Sequence, residues 1–230
     1  MRITLRHHFD FGADRSVVGD DLVQSAAWDA LRTRTSGAFA LARSRDELVR
    51  TAEARAEIAA RARAIDRWLT ERNVRAVASY GVGGAILEWW LLHISPERRV
   101  ILAEYAPKTV ERLRELLPEI DVRRHDLLED PPLAAGAHLF HRIDTELSDA
   151  QWHEVLERFN HETVIVAATE IATARRLFSE LLLRIRRRHA TRAGWLRTRD
   201  SFEALWRETH DAEPLRLYDL DGWALTPRPA

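Results

Sequence analysis

Val74-Arg75-Ala76-Val77-Ala78-Ser79-Tyr80-Gly81-Val82-Gly83-Gly84-Ala85-Ile86-Leu87-Glu88-Trp89-Trp90-Leu91-Leu92 reads as a strand, a glycine-rich turn and a helix. A short apolar strand that ends in small residues, followed by a helix whose one polar residue is Glu88, is how an open α/β sheet begins a nucleotide-type site. Gly81 and Gly83 allow a sharp turn and a close approach of backbone to ligand, and the helix behind them offers unpaired N–H groups. The same stretch is also compatible with a plain turn between a buried strand and a buried helix, so the rest of the chain has to decide.

Downstream, strand and helix alternate. Arg99–Glu104 is a second apolar strand, Pro107–Leu117 a helix closed by Pro118, and Ile120–Asp126 a third, more polar strand suited to a sheet edge. His138–Ile143 is a fourth strand, Ser148 and Asp149 open a helix to Phe159, and Glu162–Ala168 is a fifth strand. This order predicts a parallel sheet with helices on both faces. The alternation then breaks. Helices over Ala172–His189 and Ser201–His210 lead to a hairpin whose turn is placed at Asp221-Gly222, so the last strand should run antiparallel.

Upstream, Ser44 and Glu47 form a capping-box pattern that opens one helix running to Arg72, with an apolar stripe and a charged outer face. Residues 1–40 are the least regular, with a helix expected from Asp20 to Arg32. The domain boundaries that follow are residues 1–72, an extended segment and helical cap, and residues 73–230, the α/β domain. His7, His8 and Asp10 invite a metal reading, but adjacent histidines on a strand point to opposite sides, and no metal site is expected.

Composition narrows the function classes. The 230 residues carry 35 Lys and Arg against 36 Asp and Glu, so no global field draws the chain to nucleic acid or an anionic membrane. The absence of cysteine removes disulfides, thiolate metal sites and cysteine nucleophiles. The first residues lack a signal-peptide core and no run approaches bilayer length, so a soluble, cytoplasmic protein is expected. Lys108 is the one lysine, a bias that reads as genome composition.

Taken together, the glycine turn, an acid ending the second strand, an acid ending the third and a closing hairpin resemble the class I S-adenosylmethionine (SAM) dependent methyltransferases over about residues 70 to 228. The resemblance implies a Rossmann-like, seven-stranded mixed α/β sheet with its last strand antiparallel. It implies that Gly81 and Gly83 approach the methionine part of S-adenosyl-L-methionine, that Glu104 accepts hydrogen bonds from both ribose hydroxyls, and that Asp126 with Leu127 reaches the adenine amino group. Ser79, Tyr80 and Tyr105 adjoin these positions and are expected in the cofactor site. Two departures stand out. Ser79 replaces an acid that the family often has, and Ala85 replaces a third glycine, which leaves open weaker binding, a compensating acid elsewhere or a member that no longer methylates. Ile86 occupies the place where a dinucleotide fingerprint wants glycine, which argues against an NAD-dependent oxidoreductase.

Methyl transfer from a sulfonium asks the protein for alignment, exclusion of water and, for some acceptors, a base. Such groups should follow the fourth and fifth strands, where Asp144 and His141 are the catalytic candidates, with Arg142, Glu146, Thr169 and Glu170 nearby. His141 suits a general base for a hydroxyl acceptor; a half-buried strand histidine is the competing reading. Phe9, Phe11 and Trp28 are candidates to close over an acceptor. Arg184, Arg186, Arg187, Arg188, Arg192, Arg197 and Arg199 offer a surface for RNA phosphates or an anionic small molecule, although such runs are usually solvated helix faces. The expectation is methyl transfer to a small-molecule acceptor, with an RNA acceptor ranked below it, oligomeric state open, and a catalytically inactive binding or regulatory protein as the alternative.

Overall fold

A computed structural model describes residues 2–7, 25–34, 39–186 and 194–228. Its centre is the alternation read from the sequence: β2 (Ala76–Tyr80), α4 (Ile86–Ile94), β3 (Arg99–Glu104), α5 (Pro107–Leu116), β4 (Asp121–Arg124), β5 (Ala137–His141), α6 (Asp149–Arg158) and β6 (Val164–Ala167). With β8 (His210–Leu217) and β9 (Leu220–Pro227) these strands form one seven-stranded sheet in the order β4-β3-β2-β5-β6-β9-β8. β2 to β6 pair in parallel, and β9 lies antiparallel between β6 and β8. The expected mixed sheet is therefore present. The strand order reverses between β2 and β5, and the crevice at their carboxyl ends is where such sheets take ligands.

The parallel strands read as unbroken apolar runs because both of their faces are covered. Val77, Val100, Leu102, Leu139 and Ile165 pack on one side with α4, α5 and two helices before β2, α2 (Arg45–Glu53) and α3 (Ala56–Glu71). Ala78, Ile101, Phe140, Val164 and Val166 pack on the other with α6 and α8 (Arg199–Trp206). β4, at one edge, carries the polar residues expected there. The other edge strand, β8, carries Pro214, whose missing N–H an edge position tolerates.

Four local expectations need correction. The helix expected from Ser44 to Arg72 is two helices, broken at Ala54 and Arg55. Ser44 does cap α2 by accepting from Glu47 N, but the Glu47 carboxylate reaches back to Arg43 N rather than to Ser44 N. At the break the Ala52 carbonyl accepts from Arg55 N at 3.0 Å and also from the Trp90 indole of α4 at 3.1 Å. The hairpin turns at Tyr218 and Asp219, with φ 62° at Tyr218, and not at Asp221-Gly222. Gly222 lies within β9 opposite Ala167, where a Cβ would come within 2.8 Å of the Val166 carbonyl, so it serves close strand approach instead of a turn. The helix expected to start at Ser201 starts at Arg199 and ends at Trp206, short of His210, which belongs to β8. Ahead of it, part of the arginine-rich stretch forms a strand not anticipated, β7 (Gly194–Arg197), antiparallel to β1 (Thr4–His7) in a separate two-stranded sheet.

Two further helices complete the description, α1 (Ser25–Arg32) and α7 (Ala174–Arg186). His8, Phe9, Asp10 and Phe11 lie outside the described residues, as do Arg187, Arg188 and Arg192. No helix among the described residues is long and apolar enough to cross a membrane.

Candidate cofactor and active site

β2 delivers the chain to the crevice at Tyr80, and the next residues turn tightly: Gly81 and Gly83 have φ of 63° and 59°. These are left-handed conformations that glycine adopts without cost. A side chain at Gly81 would meet Ile143 Cγ2 at 2.6 Å, so the turn and the loop after β5 touch because Gly81 has no Cβ. Ala85, standing in the place of the third glycine, is also left-handed at φ 53° and forms the N-cap of α4. The geometry of the glycine is kept while its residue is not, at a strain of about 1 kcal/mol.

Glu104, at the end of β3, is 1% exposed and faces this turn. One carboxylate oxygen accepts from Gly83 N at 3.2 Å, and the other from Tyr105 N at 3.0 Å and Ala106 N at 3.2 Å. The carboxylate thus fixes the glycine turn to the start of α5. Ser79 is fully buried and donates its hydroxyl to Glu88 at 2.6 Å, in the first turn of α4. The carboxylate bonded to the end of β2 thus comes from nine residues later in the chain. Burial pushes the Glu88 carboxyl up to about 7, helped by the charge of Glu104 and opposed by the Ser79 bond.

Beside this turn lies a cavity of about 530 Å³, including its open mouth, lined by Tyr80, Gly81, Tyr105, His125, Asp126, Leu127, Leu128, Ile143, Glu146 and Leu147. Tyr80 offers its ring to the cavity. Its hydroxyl instead accepts from Leu133 N and donates to His138 Nδ1, whose Nε2 meets Glu162 at 3.2 Å. Burial raises the Tyr80 hydroxyl to about 12 and raises that of Tyr105 as well, so both phenols stay neutral at physiological pH. Asp126 holds its own loop, one oxygen accepting from Leu128 N at 2.9 Å. His125, not singled out in the sequence, donates through Nε2 to the Pro131 carbonyl. No spacing rule marks it.

The structure brings Tyr80, Gly81, Tyr105, Asp126 and Leu127 to one cavity, with Gly83, Glu104 and Ser79 behind its glycine wall. The two acceptor-side candidates are elsewhere. Asp144 is 1% exposed and accepts from Thr169 N at 2.8 Å and Thr169 Oγ1 at 2.7 Å, tying the loop after β5 to the loop after β6. Burial raises its carboxyl against those bonds. His141 is pushed down to about 3 by burial and by Arg142 and Arg61, and thus stays neutral beside cations on the α3 side of the sheet. Of the acids after β5 it is Glu146 that reaches the cavity, its carboxyl raised to about 8 by burial and by Glu104.

The arginine surface also resolves differently. Arg197 is 0% exposed and donates to Asp149, to the Asp144 carbonyl and to the Leu147 carbonyl, which removes it from any phosphate surface. Arg199 pairs with Asp221 at 2.8 Å and stacks over Trp223. Among the described residues no group of His, Asp or Glu is placed to hold a metal ion.

Neither a protein-family model nor a curated protein sequence matches the chain. Solved structures do. Human N-acetylserotonin methyltransferase in complex with SAM superposes with a TM-score of 0.60 at 18% identity, covering 81% of this chain and 57% of that one. PigF with SAH gives 0.62 at 16%, covering 87% and 62%. The mitomycin 7-O-methyltransferase MmcR gives 0.52 at 20%, covering 68% and 50%. In each case the chain spans less than two thirds of the matched protein's length.

Proposed function

The chain has the class I SAM-dependent methyltransferase fold, and from that premise we propose that it binds S-adenosyl-L-methionine at the glycine turn and transfers its methyl group to a small molecule. The carrying observation is the joining of Gly81, Gly83 and Glu104 at the strand-order reversal, beside a cavity walled by Asp126 and Tyr105. The residues fit the cofactor chemically. A Cβ at Gly81 or Gly83 would collide with Ile143 or Arg32 and push apart the turn that borders the cavity, and the surrounding acids suit a ligand whose reactive end is cationic.

When bound, the cofactor supplies an electrophilic methyl group on a sulfonium. Glu104 would hold the ribose side; three backbone N–H groups already occupy most of its roughly four acceptor positions, leaving about one for a ribose hydroxyl. Asp126 and Leu127 face the adenine. Leu127, Leu128 and Leu147 exclude water. Glu146 lines the cavity, and with its carboxyl raised to about 8 it is mostly protonated at neutral pH, so as a base toward a hydroxyl or ammonium it would act through its ionised fraction, which grows as pH rises toward 8. A small acceptor is favoured because Arg197 is sequestered and the matched structures include small-molecule methyltransferases.

One observation supports a second reading, a fold member that binds without turnover: neither Asp144 nor His141 lines the cavity. Isothermal titration with SAM and with NAD, followed by a methyl-transfer screen against small hydroxyl and amine compounds, separates the readings. SAM binding with turnover is expected. SAM binding without turnover on any acceptor supports the binding protein, NAD binding alone the oxidoreductase, and binding of neither overturns both enzyme readings.

A further inference from the structure

Beside the glycine turn stands a cationic side chain that is not part of the sheet domain's own motif. α1 is fixed there by a bond made in trans. Ala106, the N-cap of α5, provides no side-chain cap, and Asp29 of α1 does so instead: its Oδ1 accepts from Lys108 N at 3.1 Å and from Thr109 N at 3.2 Å. Arg32 lies three residues further along the same helix face. Its Nη1 is 2.5 Å, and its Cζ 3.2 Å, from the point a Cβ on Gly83 would occupy, so the guanidinium fills the room that glycine leaves. The Trp28 ring lies beneath it at 4.9 Å, and the Leu41 N–H fixes its carbonyl at 3.0 Å.

The Arg32 Nε is buried and has no hydrogen-bond partner. Buried donors are rarely left so unless a ligand, ion or water completes them. A guanidinium presents five N–H donors in a planar fork that matches a carboxylate in bidentate fashion. The charges around the turn are also complementary to one molecule. Glu88, Glu104 and Glu146 interact electrostatically across it, and Arg32 acts on Glu146 from the α1 side. SAM carries two cationic groups and one carboxylate at its amino-acid end.

Resting on the proposed cofactor, we infer that Arg32 is a recognition residue for the cofactor's α-carboxylate, and that α1 is the element by which this chain selects the amino-acid end of the ligand. Asp29 is then a positioning residue, because it places Arg32 through the α5 cap without touching the cavity. Trp28 holds the guanidinium plane against Gly83.

Titration of SAM, decarboxylated SAM and 5′-methylthioadenosine into the wild type, Arg32→Lys and Arg32→Gln tests this. Decarboxylated SAM keeps the sulfonium and amine and lacks the carboxylate alone. Arg32→Gln should weaken SAM by about 10- to 100-fold, the range for a charge-assisted bond, and leave the other two ligands within about twofold. Arg32→Lys should fall between, because the charge is kept and the fork is lost. Three outcomes overturn the inference while leaving the cofactor reading intact: tighter SAM binding by Arg32→Gln, which would make Arg32 a plug; an equal loss for all three ligands, which would make it a packing residue; or no change. If the wild type binds none of the three, the cofactor reading falls and the inference with it.

Discussion

The two sides of the crevice use their acidic residues in opposite ways. Around the glycine turn, Glu88 and Glu104 are buried together and Glu146 stands nearby, with the carboxyls of Glu88 and Glu146 raised by burial and by the Glu104 charge. Below the loops after β5 and β6, the acids are satisfied from within: Asp144 by two Thr169 bonds and Asp149 by the Arg197 guanidinium, which also holds the Asp144 and Leu147 carbonyls. In the first region burial and the Glu104 charge keep protons on two carboxyls near neutral pH, where a cationic ligand is proposed. The second region is self-contained. Burying carboxyls together is costly to a fold, so where their pKa values are raised beside a cavity they point to a site more strongly than an acid's position at a strand end does.

That contrast is broken or sharpened by substitutions on each side. The largest expected effect is Arg197→Ala, which strands two buried carbonyls and should cost about 3 kcal/mol or more in urea unfolding. Arg199→Ala, two residues away but half exposed and paired at the surface, should cost within about 1 kcal/mol. Equal losses at the two would remove the distinction between a self-satisfied interior and a solvated face.

Next comes pH. The folded Glu88 carboxyl lies near 7 against an ordinary value of 4.5, so the native state holds a proton that the unfolded chain releases over that interval. Stability contributed by this group is therefore complete below about pH 4.5, declines as pH rises toward 7 and levels off above, a loss of about 3 kcal/mol. Glu88→Gln mimics the protonated form and keeps an amide oxygen for Ser79. Denaturation between pH 5 and 8 should show a flatter slope for this variant than for the wild type. An unchanged slope would mean that Glu88 is not held near neutrality.

Asp144→Asn is expected to do least. Its amide oxygen can still accept from both Thr169 groups, so about 1 kcal/mol of stability should be lost. SAM affinity should stay within about twofold, because Asp144 does not line the cavity. A large loss of affinity would return Asp144 to the site.

The same contrast explains how much the sequence disclosed. The glycine turn, Glu104 and Asp126 are legible because each is tied to a strand end, and strand ends are marked by the switch from apolar run to polar residue. The partner of Ser79 was not legible. Ser79 signals the gap, but only the fold places Glu88 against it. On the loop side, Asp144 and Glu146 look alike in sequence, two residues apart on an irregular segment, and only tertiary contacts decide which faces the cavity. Arg197 reads as one more arginine in a basic run until β7 carries it inside. The break at Ala54 has no glycine or proline to announce it, and Asp221-Gly222 resembles a turn because the pair's alternative use, close strand approach, has the same composition.

The central claim is that the Glu104-anchored glycine turn holds S-adenosyl-L-methionine, and calorimetric titration of that ligand into the wild type and Glu104→Ala tests it most directly. The account predicts saturable one-site binding by the wild type and an affinity loss of about tenfold or more in the variant. Binding of equal strength to both proteins would contradict it.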